Sequence, residues 1–221
     1  MKVGTDGVLL GAWVQLSGTE QVLDIGCGTG LISLMLAQRA PQAEIHAVEI
    51  DESSAAQADK NISSSPWPNR IKVFHSSIQQ FSKAGLHSYD LIVSNPPFFV
   101  KSTLGPDDIR NLARHANDLP FVDLLRSSIS LLRPNGKLSV ILPAKEGREF
   151  IGEAVSFGLY CCRMTEVYPL EHKPVERLLM TFTRNVMALK QDKLVIQKDN
   201  SANAYTDEYK RLTSEFYQKL S

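Results

Sequence analysis

The sequence has no net charge and very little cysteine. Its 221 residues carry 24 Lys and Arg against 24 Asp and Glu. This balance argues against a nucleic-acid binder that relies on bulk positive charge, such as a histone-like protein. The three cysteines, at positions 27, 161 and 162, form neither a disulfide framework nor a zinc-binding spacing. Their scarcity favours a reducing, cytoplasmic environment.

Long apolar runs, internal repeats and low-complexity tracts are also missing. No apolar run reaches the ~20 residues that cross a bilayer. The first residues, MKVGTDGVLLGAW, are too polar and glycine-rich for a signal peptide. The length and the 43% share of hydrophobic residues are those of an ordinary globular protein. We therefore expect a single domain, residues 1–221, that acts as a monomer and binds neither a membrane nor a metal.

Short apolar strands alternate with helical patterns along most of the chain. Strands are predicted at 21–25, 44–49, 71–75, 90–94 and 137–142, and helices at 31–39, 52–63, 121–132, 146–157 and 205–220. This alternation predicts an α/β fold with a parallel sheet covered by helices on both faces. The strand at 90–94 is apolar throughout and is expected to be central. Three successive strands near 161–167, 177–184 and 192–197 predict an antiparallel hairpin at one edge.

A glycine-rich turn, Asp24-Ile25-Gly26-Cys27-Gly28-Thr29-Gly30, separates the first strand from the helix that follows. Glycine is needed where the backbone turns tightly and approaches a ligand, and the start of the helix offers free N–H groups. Glu49 ends the second strand, where a carboxylate can accept both hydroxyl protons of a ribose. Strand, turn, helix and acid together predict an adenosine-containing cofactor.

This D-x-G-x-G-x-G pattern resembles the first motif of class I S-adenosylmethionine-dependent methyltransferases. The resemblance implies a Rossmann-like, seven-stranded, mostly parallel sheet with one antiparallel strand. It also implies that S-adenosylmethionine is the cofactor, that Asp24 lies near its amino-acid end, and that Glu49 holds the ribose. The glycines of the turn that would bind it are Gly26, Gly28 and Gly30.

The segment after the third strand departs from that family pattern. An acidic residue there often meets the adenine amino group, but this chain has His75-Ser76-Ser77-Ile78. Ser77 is a candidate acceptor for the adenine amino group. Ile78 is a candidate to pack on the ring and to offer its N–H group.

The tetrapeptide Asn95-Pro96-Pro97-Phe98 follows the fourth strand directly, so we expect it at the same carboxyl edge of the sheet as the glycine-rich turn. Two prolines cannot continue a central strand, so the chain leaves the sheet here. The Asn95 amide oxygen and the Pro96 carbonyl can accept both hydrogens of a planar amine and thereby free its lone pair. Proline also fixes the backbone and removes competing N–H donors, and Phe98 offers a face on which a base can stack. The motif looks like that of amino methyltransferases, which act on adenine N6, cytosine N4, guanine N2 or glutamine amide nitrogen.

The N-terminal segment KVGTDGVLLGAW has two interpretations. Read locally, Asp6 caps a short helix over 8–16. The segment also closely resembles the N-terminal signature of bacterial tRNA1(Val) adenine N6-methyltransferases, which modify the adenine beside the anticodon of a valine tRNA. This resemblance makes Thr5 and Asp6 candidate cofactor contacts. It continues through DIGCGTGLISLMLAQR, SNPPFF and YTDEYKRLTSEFYQKL.

The resemblance implies tRNA as the partner. Members of the family carry a short basic, aromatic stretch before the signature, and a protein without it is expected to bind RNA more weakly. An unpaired anticodon-loop base is cheaper to turn into a pocket than a paired one. We expect residues 100–118 to form a mobile flap over the substrate. The candidate RNA contacts are Lys101, Arg110, Arg114 and His115, extended by Lys145, Arg148, Lys173 and Arg177.

Three alternatives stay open at this point. The same chemistry could act on rRNA, DNA or a glutamine side chain. A nicotinamide-dependent oxidoreductase is disfavoured because Leu31 stands where a dinucleotide fingerprint has its third glycine. A non-catalytic RNA-binding protein is disfavoured because Asn95 and Glu49 are both present.

Overall fold

The computed structural model describes residues 4–18, 20–85, 88–97, 119–201 and 203–217. Within these ranges the predicted alternation of strands and helices is confirmed. The helices are α1 (Thr5–Trp13), α2 (Leu31–Arg39), α3 (Glu52–Ser63), α4 (Ile78–Lys83), α5 (Phe121–Leu131), α6 (Ala144–Ser156) and α7 (Asp207–Thr213). The strands are β1 (Gln21–Ile25), β2 (Glu44–Glu49), β3 (Ile71–His75), β4 (Tyr89–Ser94), β5 (Leu132–Pro143), β6 (Tyr160–Leu170), β7 (Arg177–Thr183) and β8 (Lys190–Gln197).

The strands form one sheet in the order β3-β2-β1-β4-β5-β7-β6-β8. Every strand runs in the same direction except β7, which pairs antiparallel with both β5 and β6. The expected mostly parallel sheet with one reversed strand is thus confirmed. Strands β1 and β4 are neighbours in this order. The glycine-rich turn follows β1, and the Asn-Pro-Pro-Phe sequence follows β4.

Two expectations about the sheet are corrected. The described strands number eight rather than seven, because β8 adds to β6 in parallel. The β6–β7 hairpin is antiparallel, but it does not form the edge: β7 inserts between β5 and β6, and β8 takes the outer position. Burial explains the extra strand, since Leu194 and Val195 of β8 are covered while its first half stays exposed.

The central position of β4 is confirmed, and its composition explains it. Leu91 and Val93 belong to the core on one face of the sheet, whereas Ile92 belongs to the core on the other. A strand with helices on both faces buries both sets of its alternating side chains, so it is apolar throughout.

Helix α1 begins earlier than predicted and is not capped by Asp6. Gly4 is the residue before the helix, and Asp6 lies in the first turn. Residues 7–13 are all buried, because α1 packs against α2 and α7. Leu9 and Leu10 of α1 share a core with Tyr209 of α7.

The elements near the C-terminal half also differ from the predicted boundaries. Strand β5 starts at Leu132, directly after α5, and so begins before the predicted strand over 137–142. The β4–β5 pairing is irregular there, with Leu132 opposite Tyr89 and Lys137 opposite Leu91. Helix α7 is shorter than the predicted 205–220. Thr206 caps its beginning, because Thr206 Oγ1 accepts a hydrogen bond from Tyr209 N at 3.2 Å.

Candidate active site

The glycine-rich turn owes its composition to its backbone. Gly26, Gly28 and Gly30 have φ values of 70°, 56° and 82°, in the left-handed region that side chains disfavour. The N–H groups of Gly26 and Cys27 donate to the Val48 carbonyl at 2.9 and 3.1 Å. The turn is therefore tied to the end of β2, where Glu49 lies.

The glycines of this turn serve different purposes. A Cβ atom at Gly26 would meet nothing within 4 Å, so the backbone there borders open space. A Cβ atom at Gly30 would lie 3.4 Å from Ala58 Cβ and 3.5 Å from Ile62 Cδ1, both on α3. The structure thus gives Gly30 a helix-packing role, and it leaves room for a ligand at Gly26.

The Glu49 carboxylate is buried and fixed by backbone donors. Gly28 N donates to Oε2 at 2.8 Å, and Asp51 N donates to Oε1 at 2.9 Å. Each oxygen keeps a further lone pair for another donor. A pair of neighbouring hydroxyl groups, such as those of a ribose, fits this arrangement.

Asp24 is fully buried and only half satisfied. Its Oδ2 atom accepts from Ser33 N at 3.1 Å and from Ser33 Oγ at 2.7 Å. Its Oδ1 atom has no hydrogen-bond partner among the described residues. Burial raises the pKa of this carboxyl to about 7, and the charge of Glu49 adds to the effect. A buried acceptor without a partner favours a ligand that brings a donor, and the amino-acid end of S-adenosylmethionine fits this requirement.

The segment after β3 lies beside Glu49. Ser76 N donates to the Glu49 carbonyl at 2.9 Å. Ser77 caps α4, because its Oγ accepts from Gln80 N at 3.2 Å. The side chain of Ile78 is buried in the protein core, and its packing on an adenine ring stays a prediction. As the first residue of α4, Ile78 has an N–H group with no acceptor within the helix, which leaves that group for a ligand.

The tetrapeptide lies next to the glycine-rich turn. Ser94 pairs with Ile25 at the ends of β4 and β1, and Ser94 Oγ donates to the Ile25 carbonyl at 2.9 Å. The next residue on each strand is Asn95 and Gly26, respectively. Asn95 is half-buried, Pro96 is buried and Pro97 is exposed. The two motifs therefore meet at one edge of the sheet, as the sequence predicts; Phe98 lies outside the described residues.

The start of α1 reaches the same edge. A Cβ atom at Gly7 would lie 3.2 Å from Leu31 Cδ2, at the first turn of α2. The Asp6 carboxylate accepts a hydrogen bond from Arg177 Nε at 2.9 Å, whereas Thr5 is exposed. Sequence reasoning missed this ion pair, because Asp6 and Arg177 are 171 positions apart. Arg177, a candidate RNA contact, is paired within the protein.

Other candidate RNA contacts lie at this edge as well. Lys145 is exposed in the first turn of α6, directly after β5, and Lys173 is exposed between β6 and β7. Arg148 lies one turn further along α6 and forms a 3.6 Å ion pair with Glu166. The remaining candidates, Lys101, Arg110, Arg114 and His115, lie outside the described residues, as does the proposed flap at 100–118.

The described residues contain neither a membrane-spanning helix nor a cluster of metal ligands. No helix in them is long and apolar enough to cross a membrane. They also hold no group of three or more His, Cys, Asp or Glu side chains arranged to bind a metal ion.

Comparison with known proteins gives a consistent result. Residues 7–156 match the family described as "Methyltransferase small domain". The chain is 45% identical over 221 residues to the tRNA1(Val) (adenine(37)-N6)-methyltransferase of Trichodesmium erythraeum (strain IMS101), covering 99% of this chain and 92% of that relative. It is 44% identical to the protein of the same name from Flavobacterium psychrophilum, covering 100% of this chain and 94% of that relative.

Solved structures show the same fold. A predicted O-methyltransferase from Agrobacterium tumefaciens, Atu636, has a TM-score of 0.72 and 21% identity, with 95% of this chain and 96% of that chain covered. TrmN from Thermus thermophilus has a TM-score of 0.55 and 18% identity, with 76% of this chain and 44% of that chain covered.

Proposed function

The chain belongs to the tRNA1(Val) (adenine(37)-N6)-methyltransferase family, and from this membership we propose that it methylates N6 of the adenine beside the anticodon of a valine tRNA. The methyl donor of the family is S-adenosylmethionine. The observation that carries the proposal is the pairing of Ile25 with Ser94, which makes the glycine-rich turn and Asn95 neighbours.

The residues around the glycine-rich turn fit this donor. When bound, S-adenosylmethionine supplies a methyl group that is already activated by its positively charged sulfonium. The Glu49 carboxylate accepts the ribose hydroxyl protons, and the backbone at Gly26 allows close approach. The Asp24 Oδ1 atom gains the donor that it lacks. Ser77 accepts a hydrogen bond from the adenine amino group, and the Ile78 N–H group donates one to the ring. Thr5 and Asp6, in the first turn of α1, lie at the border of the site.

The tetrapeptide orients the amine that is methylated. An exocyclic amine is a poor nucleophile because its lone pair is delocalised into the ring. The Asn95 amide oxygen and the Pro96 carbonyl accept its two hydrogens and favour a tetrahedral nitrogen with an available lone pair. Pro97 stiffens the exit from β4, and Phe98 stacks on the base. The protein accelerates the reaction chiefly by alignment of nitrogen, methyl carbon and sulfur.

The tRNA is recognised by shape and by contacts to its phosphates. An adenine in the anticodon loop is stacked but unpaired, so a pocket at the edge of the sheet can take it at modest cost. Lys145 and Lys173, exposed at this edge, extend the phosphate contacts of Lys101, Arg110 and Arg114. The protein acts as a monomer in the cytoplasm, and one domain, residues 1–221, carries both the donor and the RNA sites.

The test is methyl transfer to defined tRNA. Transcripts of valine tRNA and of a second tRNA are incubated with the protein and labelled S-adenosylmethionine, then digested and analysed by mass spectrometry. We expect N6-methyladenosine at the anticodon-adjacent position of the valine tRNA alone. Parallel incubations contain rRNA, DNA or a glutamine-containing protein instead of tRNA; label in one of these, and none in tRNA, would reject the proposal. Analytical ultracentrifugation of the protein alone tests its oligomeric state, and we expect the mass of a monomer.

A further inference from the structure

The first turn of α1 spans the edge at which the two motifs meet. On one side Gly7 lies against Leu31, at the start of α2 and beside the glycine-rich turn. On the other side Asp6 is bound by Arg177, the first residue of β7. In the sheet order β1-β4-β5-β7, two strands separate these anchor points. The beginning of α1 therefore lies between these anchor points, and α1 contacts β5, the strand beside β7.

We propose that Arg177 is a positioning residue, whose ion pair with Asp6 holds the first turn of α1 as a wall of the donor site. The identity of the donor rests on the proposed function; the geometry does not. Arg177 acts through Asp6 and need not touch the donor or the amine. This positioning role replaces the predicted role of Arg177 as an RNA contact, because its guanidinium binds Asp6 within the protein.

The anchorage of Arg177 itself is firm. Its backbone pairs with Pro143 at the end of β5 and with Val167 of β6. Its Nη1 atom donates to the Glu176 carbonyl at 3.1 Å and lies 3.4 Å from the Glu176 carboxylate. The guanidinium is therefore fixed on the sheet side, and α1 is the element that it holds in place.

The described beginning of α1 is held by the packing of Gly7 against Leu31 and by the Asp6–Arg177 ion pair. Gly4, which precedes the helix, provides no side-chain cap. The Asp6 and Arg177 side chains are only 20% and 22% exposed, so solvent screens their attraction less than it screens an open surface pair. A charge-assisted hydrogen bond of this kind is stronger than a neutral one. Its loss should free the turn while the rest of α1, buried against α2 and α7, stays folded.

The experiment measures the affinity for S-adenosylmethionine by calorimetry, without RNA, in the wild type, D6N, R177Q and the double variant. We expect each single change to raise Kd about tenfold relative to the wild type. The double variant should have about the same Kd as the single variants, because both changes break the same interaction. An unchanged Kd in R177Q overturns the proposal. A roughly hundredfold rise in the double variant does so too, since the two residues would then act independently.

A matched control separates positioning from general stability. Arg133 forms a 2.6 Å ion pair with Asp90 at the opposite end of β4, so R133Q removes an arginine ion pair far from the site. R133Q should leave Kd within twofold of the wild type; an equal rise in R133Q and R177Q overturns the proposal. R177M, which keeps the apolar part of the side chain, replaces R177Q if that variant does not fold.

The steady-state pattern adds a second readout. R177Q should raise KM for S-adenosylmethionine more than it lowers kcat on tRNA, whereas a role in RNA contact would raise KM for tRNA instead. If the wild type binds the donor but does not methylate tRNA, the proposed function fails, and the calorimetric test of Arg177 still decides the positioning role.

Discussion

The Ser94 hydroxyl donates a 2.9 Å hydrogen bond to the Ile25 carbonyl, and it does so at the last paired position of β4 and β1. Beyond this point the chain enters the glycine-rich turn on one strand and the Asn-Pro-Pro sequence on the other. The bond thus joins the segment that we propose binds the methyl donor to the segment that we propose binds the amine.

Removal of the Asn95 side chain should stop catalysis and spare donor binding. The Asn95→Ala variant loses the amide oxygen that accepts an amine hydrogen, so we expect turnover to fall by about 100-fold or more. The Kd for S-adenosylmethionine should stay within twofold, as measured by calorimetry. Asn135→Ala, at an exposed asparagine of β5, is the control and should retain full turnover. Wild-type turnover in Asn95→Ala would remove this residue from the mechanism.

Replacement of Glu49 should weaken donor binding. The Glu49→Gln variant keeps the size of the side chain but loses the charge that accepts two backbone N–H groups and that we propose accepts two ribose hydroxyl protons. We expect Kd for S-adenosylmethionine to rise by about 10- to 100-fold, as charge-assisted bonds contribute about 1.5–3 kcal/mol each. Glu44, exposed at the start of the same strand, provides the control variant Glu44→Gln. Equal affinities in the two variants would argue against the ribose role.

Asp24 should impose a pH dependence on stability. Burial raises its pKa from 3.8 to about 7, so the folded protein keeps a proton that the unfolded chain releases above about pH 4. The contribution of Asp24 to the free energy of unfolding therefore decreases as pH rises from about 4 to about 7, and it is constant above that range.

Urea unfolding at pH 5 and pH 8 tests this dependence. Asp24→Asn cannot titrate, so the wild type should lose more stability than this variant between the two pH values. Titrating groups other than Glu49, whose charge acts on Asp24, are common to both proteins and cancel in the comparison. A parallel loss in the two proteins would show that Asp24 is already ionised at pH 5.

A pair of alanine variants should separate the ligand-facing glycine from the packing glycine. Gly26→Ala and Gly30→Ala both place a side chain at positive φ, which costs about 1–2 kcal/mol of stability each. The new methyl group at Gly26 enters the open space, whereas that at Gly30 meets α3. We expect Gly26→Ala to weaken S-adenosylmethionine binding at least about tenfold more than Gly30→Ala. Equal affinities, with folding verified by circular dichroism, would contradict this assignment.

The meeting of the two motifs was predictable because it depends on local patterns and a topological rule. An apolar strand followed by Gly26-x-Gly28, and a second apolar strand followed by Asn95-Pro96, each end at the carboxyl edge of a parallel sheet. Strand β4 could be placed near the centre from its composition alone. Neither inference needed knowledge of a distant contact.

Other features depend on tertiary contacts that leave no local signal. The packing of Gly30 on α3 is invisible in a turn whose three glycines look alike. The Asp6–Arg177 pair joins residues at opposite ends of the sequence. Strand β8 lies outside β6, where Leu194 and Val195 are buried. The sequence pattern of a strand does not specify which strand it pairs with, so this position could not be predicted.

The packing of α7 on α1 has a practical consequence. Leu212 and Phe216 pack against Val8 and Ala12, on the helix whose first turn borders the donor site. Leu212 and Phe216 thus support the helix whose first turn lies beside the glycine-rich turn. Truncations and fusion tags at the carboxyl-terminal end of the polypeptide should consequently alter enzyme kinetics, and tags for purification are better attached elsewhere.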